Sequence, residues 1–484
     1  MNELKRLVYR ESMISCELCH NAPCSQVCEK LDPAQKLRSI WFDNDRNAAR
    51  LMPEEFPCAT CEAPCEDACV NKVPIKHIMG KLDGIMRNRD LHSNDTECLK
   101  TDFFGFKMIN PFILSSSVVG STYDMCARAF DAGWGGAAFK TICLMDIHEA
   151  SPRFAAVRDD SGTIYGFKNI EQLSDHTLPE NLDTFRRLKE KYPDRLLIAS
   201  IMGRDEKEWA FLSKALEEAG ADALELNFSC PNMTAEGTGS DVGQIPELVE
   251  KYTRIAKENC SIPVLAKLTP NVMTMSPAAE AAMRGGADGI AAINTIKSLI
   301  VTDEGKIAVG GLSGKAVKPI ALRFIAELGE NENLKEMHIS AMGGIETWRD
   351  AAEFIGYGAK TIQITTAVMQ YGYRIIEDLT EGLATYLNAN SLTMDTAPYH
   401  KLRQVVDIEE IERDIVIYPK FERIYCSGCG RCYISCMDGG HQAITLGEDR
   451  KPILDPKKCV GCHLCILVCP EECIVSSGRP IKKQ

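Results

Sequence analysis

Two dense groups of cysteine residues carry the strongest chemical signal in this sequence. Sixteen of the 22 Cys fall within residues 16–69 and 426–469. In the second group the spacing C-x2-C-x2-C-x3-C occurs twice, with Pro470 after the last Cys. This spacing is typical of paired 4Fe–4S clusters, in which the fourth Cys of each run ligates the other cluster. It predicts one cluster on Cys426, Cys429, Cys432 and Cys469 and another on Cys459, Cys462, Cys465 and Cys436.

The N-terminal group of Cys is less regular. It reads Cys16-x2-Cys19-x4-Cys24-x3-Cys28, followed after a spacer by Cys58-x2-Cys61-x3-Cys65-x3-Cys69. Structural zinc prefers two C-x2-C pairs, whereas runs of four Cys with the last one offset indicate iron–sulfur clusters that exchange ligands. We therefore expect one or two 4Fe–4S clusters here, with structural zinc as the alternative. Cys58 is either a ligand of one of these clusters or a residue that only lies beside it.

A third candidate for chemistry is the stretch Asn227-Phe-Ser229-Cys230-Pro231-Asn232. It follows an apolar run, residues 221–226, that predicts a short buried strand. Pro231 ends that strand because it lacks an N–H group. Amide, hydroxyl and thiol groups at one strand end can orient a small polar ligand and give it a proton. An isolated Cys is more often simply buried, so the interpretation depends on the rest of the fold.

The region between residues 103 and 388 consists of short apolar runs that alternate with helical stretches. Candidate strands cover residues 112–115, 137–139, 196–201, 223–226, 264–267, 289–293, 338–341 and 361–364. Eight strands that alternate with helices predict an α/β protein with a (β/α)8 TIM barrel.

Polar residues concentrate where the predicted strands end. They are Ser115, Ser116, Lys140, Thr141, Asn227, Lys267, Asn294, Thr295, Gly343, Gly344, Gln363 and Thr365. In this barrel the active site lies at the C-terminal face of the strands, so the placement favours a functional role. A Lys within an apolar strand is costly unless it is paired. Lys140 and Lys267 together therefore predict an anionic ligand or a reduced cofactor.

Glycine-bearing turns follow late in the barrel. One is expected at residues 310–314, which ends at Gly314, a second at residues 341–345, and a third in the region up to Thr366. Loops after the seventh and eighth strands commonly bind phosphate through backbone N–H groups, which favours FMN. The sequence shows no G-x-G-x-x-G unit after a strand with an acidic residue about 20 positions on, so no nicotinamide-binding unit is predicted.

The composition narrows the class of protein. The net charge of −13 disfavours nucleic acid and anionic membranes as partners. No apolar run approaches the ~18 residues of a membrane span, and the N-terminus lacks a signal core, so we expect a cytoplasmic protein.

We predict a helical iron–sulfur domain over residues 1–98, an FMN-binding barrel over 99–390, and a connector with a two-cluster ferredoxin domain over 391–484. Residues 407–414 are expected to form a solvated helix.

The chain resembles the dihydropyrimidine dehydrogenases, which are related to dihydroorotate dehydrogenase barrels. The resemblance covers almost the whole chain, and its blocks include NPFILSSS at 110–117, AGWGGAAFKT at 132–141, SPR at 151–153, GADALELNFSCPN at 220–232, VLAKLTPNV at 264–272 and GGLSGKAVKPIAL at 310–322. The Cys16–Cys28 run is similar to the helical iron–sulfur domain of that family. The FAD and NADPH domains of its large members are absent, so the resemblance implies an NAD(P)H-oxidising FAD and iron–sulfur partner subunit.

The resemblance also implies a mechanism. FMN would lie near Lys140 and Lys267, with Gly343 and Gly344 on its phosphate. A pyrimidine-like ring would be held by Asn227, Ser229, Asn232, Asn294, Thr295 and Asn169. Hydride would pass from FMN to one carbon of a C=C bond while Cys230 protonates the other. The clusters would relay electrons singly, and a homo- or hetero-oligomer is expected.

Three departures leave alternatives open. Asn232 stands where the pyrimidine enzymes have His, as in dihydroorotate dehydrogenases, and Gly203-Arg204 follows Met202 where they carry a substrate-binding Asn. Met79 stands where relatives offer Gln or Glu to a cluster, so Cys58 could complete that cluster. The substrate could therefore be dihydroorotate or another cyclic enamide. An electron-transfer subunit with a non-catalytic barrel is a further alternative, and an RNA-modifying flavin barrel is disfavoured by charge.

Overall fold

A computed structural model of the chain describes residues 15–50, 52–53, 55–86, 94–159, 162–232, 239–301, 305–397 and 405–482. The chain forms two compact units, Met1–Arg403 and Gln404–Gln484. The first unit contains the N-terminal helices and the barrel, and the second contains the C-terminal Cys runs.

Short apolar runs form the strands of the barrel, because strands of a parallel sheet are buried on both faces and so consist mostly of apolar residues. In chain order the strands are β1 (Thr101–Phe103), β2 (Phe106–Met108), β3 (Phe112–Leu114), β4 (Gly136–Ile142), β5 (Phe154–Arg158), β6 (Ile164–Asn169), β7 (Leu196–Ile201), β8 (Ala223–Asn227), β9 (Val264–Lys267), β10 (Gly289–Ala292), β11 (Ile296–Val301), β12 (Ile307–Ser313), β13 (His338–Met342), β14 (Ala359–Ile364), β15 (Ile415–Phe421), β16 (Ile444–Leu446), β17 (Pro452–Leu454) and β18 (Ile474–Lys482).

The longer helices are amphipathic, and several begin at a side-chain cap; Thr347 and Asp350, for example, form a reciprocal capping box. In chain order the α-helices are α1 (Pro23–Gln26), α2 (Pro33–Trp41), α3 (Asp45–Arg50), α4 (Pro64–Ala68), α5 (Ile75–Met86), α6 (Tyr123–Ala132), α7 (Leu178–Lys191), α8 (Glu206–Glu218), α9 (Ser240–Gly243), α10 (Pro246–Glu258), α11 (Ser276–Arg284), α12 (Lys318–Glu330), α13 (Trp348–Gly356), α14 (Thr366–Tyr371), α15 (Ile375–Ala389), α16 (Arg431–Gly439) and α17 (Leu464–Leu467). Within the described part of the chain, no helix has the length and apolar character needed to cross a bilayer.

Eight parallel strands close into a barrel in the order β10-β13-β14-β3-β4-β7-β8-β9, and β9 pairs back with β10. Each of them coincides with or overlaps one of the eight predicted strands. All residues of β4, β7, β8 and β9 are buried, as expected for strands covered on both faces. The predicted (β/α)8 barrel is confirmed.

A four-stranded antiparallel sheet, in the order β11-β12-β6-β5, is built from two insertions that follow β4 and β10. Both insertions leave C-terminal ends of barrel strands, so the sheet lies at that face. The turn expected at residues 310–314 is wrong for residues 310–313, which lie within β12. A Cβ on Gly310 would lie 2.4 Å from the carbonyl oxygen of Asn169, so the close approach of β6 requires glycine there.

The N-terminal helices pack against α15 of the barrel. Arg38 in α2 contacts the buried carboxylate of Asp378 at 2.8 Å, and Ser39 donates a hydrogen bond to the same carboxylate at 2.9 Å. Arg374, just before α15, donates to the backbone carbonyl of Cys19 at 3.2 Å. The N-terminal Cys region is therefore held directly on the last helix of the barrel.

The second unit consists of two antiparallel strand pairs, β15 with β18 and β16 with β17, and the short helices α16 and α17. Residues 407–414 contain turns and bends but no helix, so that prediction is wrong. All their side chains are exposed, including Ile408 and Ile411. Without an apolar face to bury, a short charged segment gains little from forming a helix.

Candidate active site

The C-terminal face of the barrel opens into a cavity of about 150 Å³. Sixteen of the residues predicted for substrate, cofactor and proton transfer line this one cavity: Ser115, Ser116, Lys140, Thr141, Asn169, Asn227, Cys230, Asn232, Lys267, Asn294, Thr295, Gly314, Gly343, Gly344, Gln363 and Thr365. Ser229 is fully buried behind the wall. The strand ends therefore bring the predicted groups together, as the barrel geometry requires.

The Cys230 thiol follows the end of β8 and is buried. Burial raises the pKa of Cys230 to about 11, although the backbone of Asn232 and the charge of Lys267 oppose the rise. A thiol with this pKa is protonated at neutral pH, since a pKa several units above the ambient pH leaves almost no thiolate. Cys230 is thus prepared to give a proton to a ligand in the cavity.

A hydrogen-bonded set of amides and hydroxyls lies beside Cys230. The Ser229 hydroxyl donates to Asn227 Oδ1 at 3.0 Å and accepts from Asn294 Nδ2 at 2.8 Å. Asn227 Nδ2 donates to Thr141 Oγ1 at 2.9 Å. Asn294 Oδ1 accepts from the backbone N–H of Thr295 at 2.7 Å. Each side chain fixes the next, so Ser229 acts as a support for the wall and not as part of its surface.

The Lys267 end of the cavity provides groups suited to a flavin ring. Lys267 Nζ lies 3.2 Å from Glu225 Oε1, and both side chains are buried. Gln363 Oε1 is buried and has no hydrogen-bond partner among the described residues. An unpaired buried acceptor is costly unless a ligand donates to it. A cation beside such an acceptor matches the reduced ring of a flavin, which gains negative charge and carries a ring N–H group.

Three glycines form the opposite wall. Gly314, Gly343 and Gly344 have φ angles of 87°, 122° and 78°, in the region that favours glycine. A Cβ on Gly344 would lie 2.8 Å from both the carbonyl oxygen of Gly314 and the backbone nitrogen of Lys318. These turns leave space for a phosphate close to backbone N–H groups and to the start of α12. The cavity therefore fits FMN.

Sequence reasoning missed three charged residues that surround Lys140 at the remaining wall of the cavity. Lys140 Nζ lies 3.2 Å from Glu149 Oε1 and 2.5 Å from Glu171 Oε1, and Arg153 Nε lies 2.7 Å from Glu171 Oε2. Burial raises the pKa of Glu171, and Lys140 opposes the rise. The sequence offered one signal, Glu171 two positions after Asn169, but its pairing with Lys140 depends on how the antiparallel sheet folds over the barrel.

Asn169 and Asn232 are brought together beside this charged group. Asn232 Nδ2 donates to Asn169 Oδ1 at 3.2 Å and to the Glu171 carbonyl at 2.7 Å. Asn232 Oδ1 is buried and lacks a hydrogen-bond partner within the described residues. Asn169 is the last residue of β6. The two amides, one from the barrel and one from the inserted sheet, therefore offer an acceptor to a ligand.

The eight N-terminal Cys are arranged as two quartets. Cys16, Cys19, Cys24 and Cys69 line one small cavity. The other four are mutual electrostatic neighbours: Cys58 with Cys61 and Cys28, and Cys65 with Cys28 and Cys58. Each quartet takes its fourth Cys from the other run, which is the ligand exchange of paired clusters. Among the described residues no group of three or more Cys, His, Asp or Glu side chains is placed to hold a single metal ion.

We predict that Cys58→Ala lowers the iron content from about sixteen to about twelve atoms per chain, because a 4Fe–4S cluster that loses one of its four ligands is easily lost. Iron analysis of anaerobically purified protein measures this. Cys98→Ala is the control, since Cys98 is a buried thiol outside both quartets and contacts the backbone carbonyl of Ala384. Unchanged iron in Cys58→Ala would show that Cys58 is only a neighbour.

The C-terminal Cys form two further groups. The neighbours of Cys432 include Cys426, Cys429 and Cys469, and those of Cys465 include Cys459, Cys462 and Cys436 as well as Cys432. Backbone N–H groups of Gly428, Ala443 and Gly461 lie 3.3–3.4 Å from Cys sulfurs, and such hydrogen bonds tune cluster potentials. Cys473, which stands outside the two C-x2-C-x2-C-x3-C runs, lies with its Sγ 3.6 Å from that of Cys469.

Comparison with known proteins supports this picture. The chain is 52% identical over 401 residues to the NAD-dependent dihydropyrimidine dehydrogenase subunit PreA of Escherichia coli K12, covering 80% of this chain and 97% of that protein. It is 37% identical to the chloroplastic dihydropyrimidine dehydrogenase (NADP(+)) of Arabidopsis thaliana, covering 66% and 81%. It is 38% identical to the catalytic subunit of dihydroorotate dehydrogenase B (NAD(+)) of Pyrococcus abyssi, covering 60% and 94%.

Family models and solved structures agree with these relatives. The dihydroorotate dehydrogenase model matches residues 98–387, and a 4Fe-4S dicluster model matches residues 421–475. A crystal structure of DHODH from Eimeria tenella has a TM-score of 0.54 at 19% identity, covering 65% of this chain and 95% of that one, so it shares the fold. The FMN and 4Fe–4S cofactors predicted from the sequence are thereby confirmed. The chain belongs to the dihydroorotate dehydrogenase family, and within it to the dihydropyrimidine dehydrogenase-like oxidoreductases that act on CH–CH groups.

Proposed function

We propose that this chain is the ring-reducing subunit of a dihydropyrimidine dehydrogenase and acts on the C=C bond of a neutral pyrimidine such as uracil or thymine. The observation that carries the proposal is the joint placement of a protonated thiol, amide groups and a charge-compensated carboxylate on one cavity. The relatives support the reaction class, since the PreA subunit is a dihydropyrimidine dehydrogenase by name.

The charges at the Lys140 wall favour a neutral ring over orotate. Lys140 and Arg153 are already paired with the carboxylates of Glu149 and Glu171. Orotate would bring a further carboxylate next to Lys140, which is buried and already paired with two carboxylates, and an uncompensated buried charge is strongly unfavourable. A neutral pyrimidine offers ring N–H donors, which suit the Glu171 carboxylate.

The residues of this chain bind, orient and protonate the ring. Asn227, Asn294 and Asn232 present amides that pair with the alternating N–H and C=O edge of a pyrimidine. Cys230 gives its proton to one carbon of the double bond. Bound FMN, when reduced, supplies the hydride to the adjacent carbon. The cavity walls keep bulk water away from the thiol, which preserves its raised pKa.

We infer that electrons reach the chain from a separate NAD(P)H-oxidising flavoprotein that carries FAD and iron–sulfur clusters. The inference is supported by the 4Fe–4S dicluster match and by PreA, which is named as a subunit of an NAD-dependent enzyme. Bound clusters accept and pass electrons one at a time. A homo- or hetero-oligomer and a cytoplasmic location form part of the proposal; all 22 Cys lie in the described residues and none forms a disulfide bond, which suits a reducing compartment.

The test is anaerobic reduction of the purified protein with dithionite, followed by stopped-flow reoxidation with uracil, thymine and orotate in turn. Iron and FMN are quantified on the same sample. Rapid reoxidation of the flavin by uracil or thymine is the expected result. Reoxidation by orotate alone would move the substrate to the dihydroorotate class, which Asn232 otherwise permits. Failure of all three on a fully loaded flavin would overturn the proposal.

A further inference from the structure

The interior of the barrel beneath the cavity carries an unusual set of polar side chains. Interiors of this fold are normally filled by layers of branched apolar residues. Here Glu225, Ser340, Thr361, Gln363 and His338 point inward, and none of them is more than 3% exposed. Burying so many polar groups is unfavourable unless each is hydrogen-bonded.

These side chains form one continuous chain of hydrogen bonds that begins at Lys267. Lys267 Nζ lies 3.2 Å from Glu225 Oε1, and Gln363 Nε2 donates to Glu225 Oε2 at 2.9 Å. The same amide nitrogen donates to Ser340 Oγ at 3.0 Å. Both N–H groups of Gln363 are therefore used, and its oxygen is left to face the cavity. That oxygen has no partner in the described part of the chain.

The far end of this hydrogen-bond chain is neutral. Thr361 Oγ1 donates to Ser340 Oγ at 2.8 Å, so its lone pairs accept from His338 Nε2 at 2.9 Å. Burial lowers the pKa of His338 to about 3, which keeps the imidazole uncharged. The ring packs edge-on against Phe103. Within this chain of contacts, charge resides at Glu225 and Lys267 alone, next to the cavity.

We propose that Glu225 is a positioning residue that sets the reduction potential of the flavin site through Lys267 and Gln363. Its carboxylate holds the ammonium of Lys267 in place and offsets part of its charge. A cation near a flavin favours the reduced ring, which gains negative charge, so a buried anion beside that cation lowers the potential. Through Gln363, the same carboxylate fixes an amide oxygen as an acceptor for a ring N–H.

This role requires a flavin in the cavity but neither the substrate nor the partner inferred above. It therefore stands or fails independently of the proposed pyrimidine reaction. A purely structural ion pair would stabilise the barrel equally well and would leave the potential of the flavin unchanged. The potential is thus the measurement that separates the two roles.

The experiment is a spectroelectrochemical titration of the FMN-loaded full chain, with the cluster contribution followed separately by EPR. For Glu225→Gln we expect at least a tenfold rise in the ratio of reduced to oxidised flavin at a fixed potential, which is about 30 mV for a two-electron couple. Lys267→Gln should shift the ratio in the opposite direction. The double variant, which removes both charges, should return to within about threefold of the parent.

Two further variants test the orientation of the Gln363 amide and provide a control. Ser340→Ala leaves both charges in place but frees the Gln363 amide, so FMN affinity should fall about 3–10-fold, the range for one neutral hydrogen bond. Asp288→Asn is the control. Asp288 forms an ion pair with Lys257 at 2.6 Å and directly precedes β10, at the end of the barrel opposite to the cavity. No change in the flavin potential or in FMN affinity is expected.

An unchanged potential in Glu225→Gln, or a shift equal to that of Asp288→Asn, would overturn the proposal. If Glu225→Gln does not retain flavin, the FMN affinity of Ser340→Ala provides the test instead. The proposal then fails if Ser340→Ala binds FMN as tightly as the parent.

Discussion

Cys230→Ala is expected to lower the rate of ring reduction by about 10²–10⁴-fold, the usual contribution of a positioned general acid. The thiol is buried in the cavity and protonated, and the neighbouring amides fix the position of the ring that receives its proton. Iron and FMN contents should stay unchanged, because Cys230 lies outside the Cys groups and the glycine turns. Stopped-flow reoxidation of the dithionite-reduced protein by uracil measures the effect.

Cys143→Ala is the matched control for this variant. Cys143 is also buried, its pKa is likewise raised by burial to about 11, and its thiol contacts the backbone of Met145 instead of the cavity. Cys143→Ala should therefore react at the parental rate. Full turnover in Cys230→Ala would show that the barrel is a scaffold, and the chain would then be an electron-transfer subunit.

The raised pKa of Cys230 also predicts a pH dependence that differs between the two directions of the reaction. Ring reduction needs the protonated thiol, so its rate should be flat through neutral pH and fall only as the pH approaches about 11. Oxidation of the reduced ring needs the thiolate as a base, so its rate should rise about tenfold per pH unit below that value. Rates of both half-reactions across pH test this. A thiol buried in this way therefore favours reduction at neutral pH.

The sequence was sufficient to predict the barrel and most of the cavity for a physical reason. Strand ends of a closed parallel barrel meet at one face, so polar residues that end separate strands, such as Lys140, Asn227 and Lys267, must converge. The C-terminal Cys spacing is largely local, since each run supplies three ligands of one cluster within a few residues and its fourth Cys to the other cluster. In both cases the position along the chain determines the position in space.

The missed features depend on contacts between distant segments. Glu149 and Glu171 become a site only because β5 and β6 fold over the barrel and place both carboxylates on Lys140. Gly310 was read as a turn, although its role is to admit the neighbouring strand. Glu225 lies within a run that reads as apolar strand, and only the structure shows its pairing with Lys267 and Gln363.

Glu171→Gln is expected to reverse part of the preference for a neutral ring. A hydrogen bond from a ring N–H to a carboxylate contributes about 1.5–3 kcal/mol, so the second-order rate constant for uracil should fall about 10–150-fold. The same change removes one of the two carboxylates that pair with Lys140, whose side chain is buried, and leaves the group with an excess positive charge. The second-order rate constant for orotate, which carries a carboxylate, should therefore rise. The ratio of the orotate to the uracil rate constant should then increase by a larger factor than the one by which the uracil rate constant falls.

Two companion variants separate contact from charge. Glu149→Gln removes the same charge, but Glu149 is not among the residues that line the cavity, whereas Glu171 is, and its carboxylate accepts from the backbone N–H of Gln172. The rate constant for uracil should therefore fall less than in Glu171→Gln, while that for orotate rises by a similar factor. Asp146→Asn, an exposed carboxylate in the same loop, should change neither rate. If the rate constant for uracil falls equally in the two Glu variants, net charge alone selects the ring. If the ratio of the orotate to the uracil rate constant is unchanged in both variants, the charged residues around Lys140 do not select the substrate.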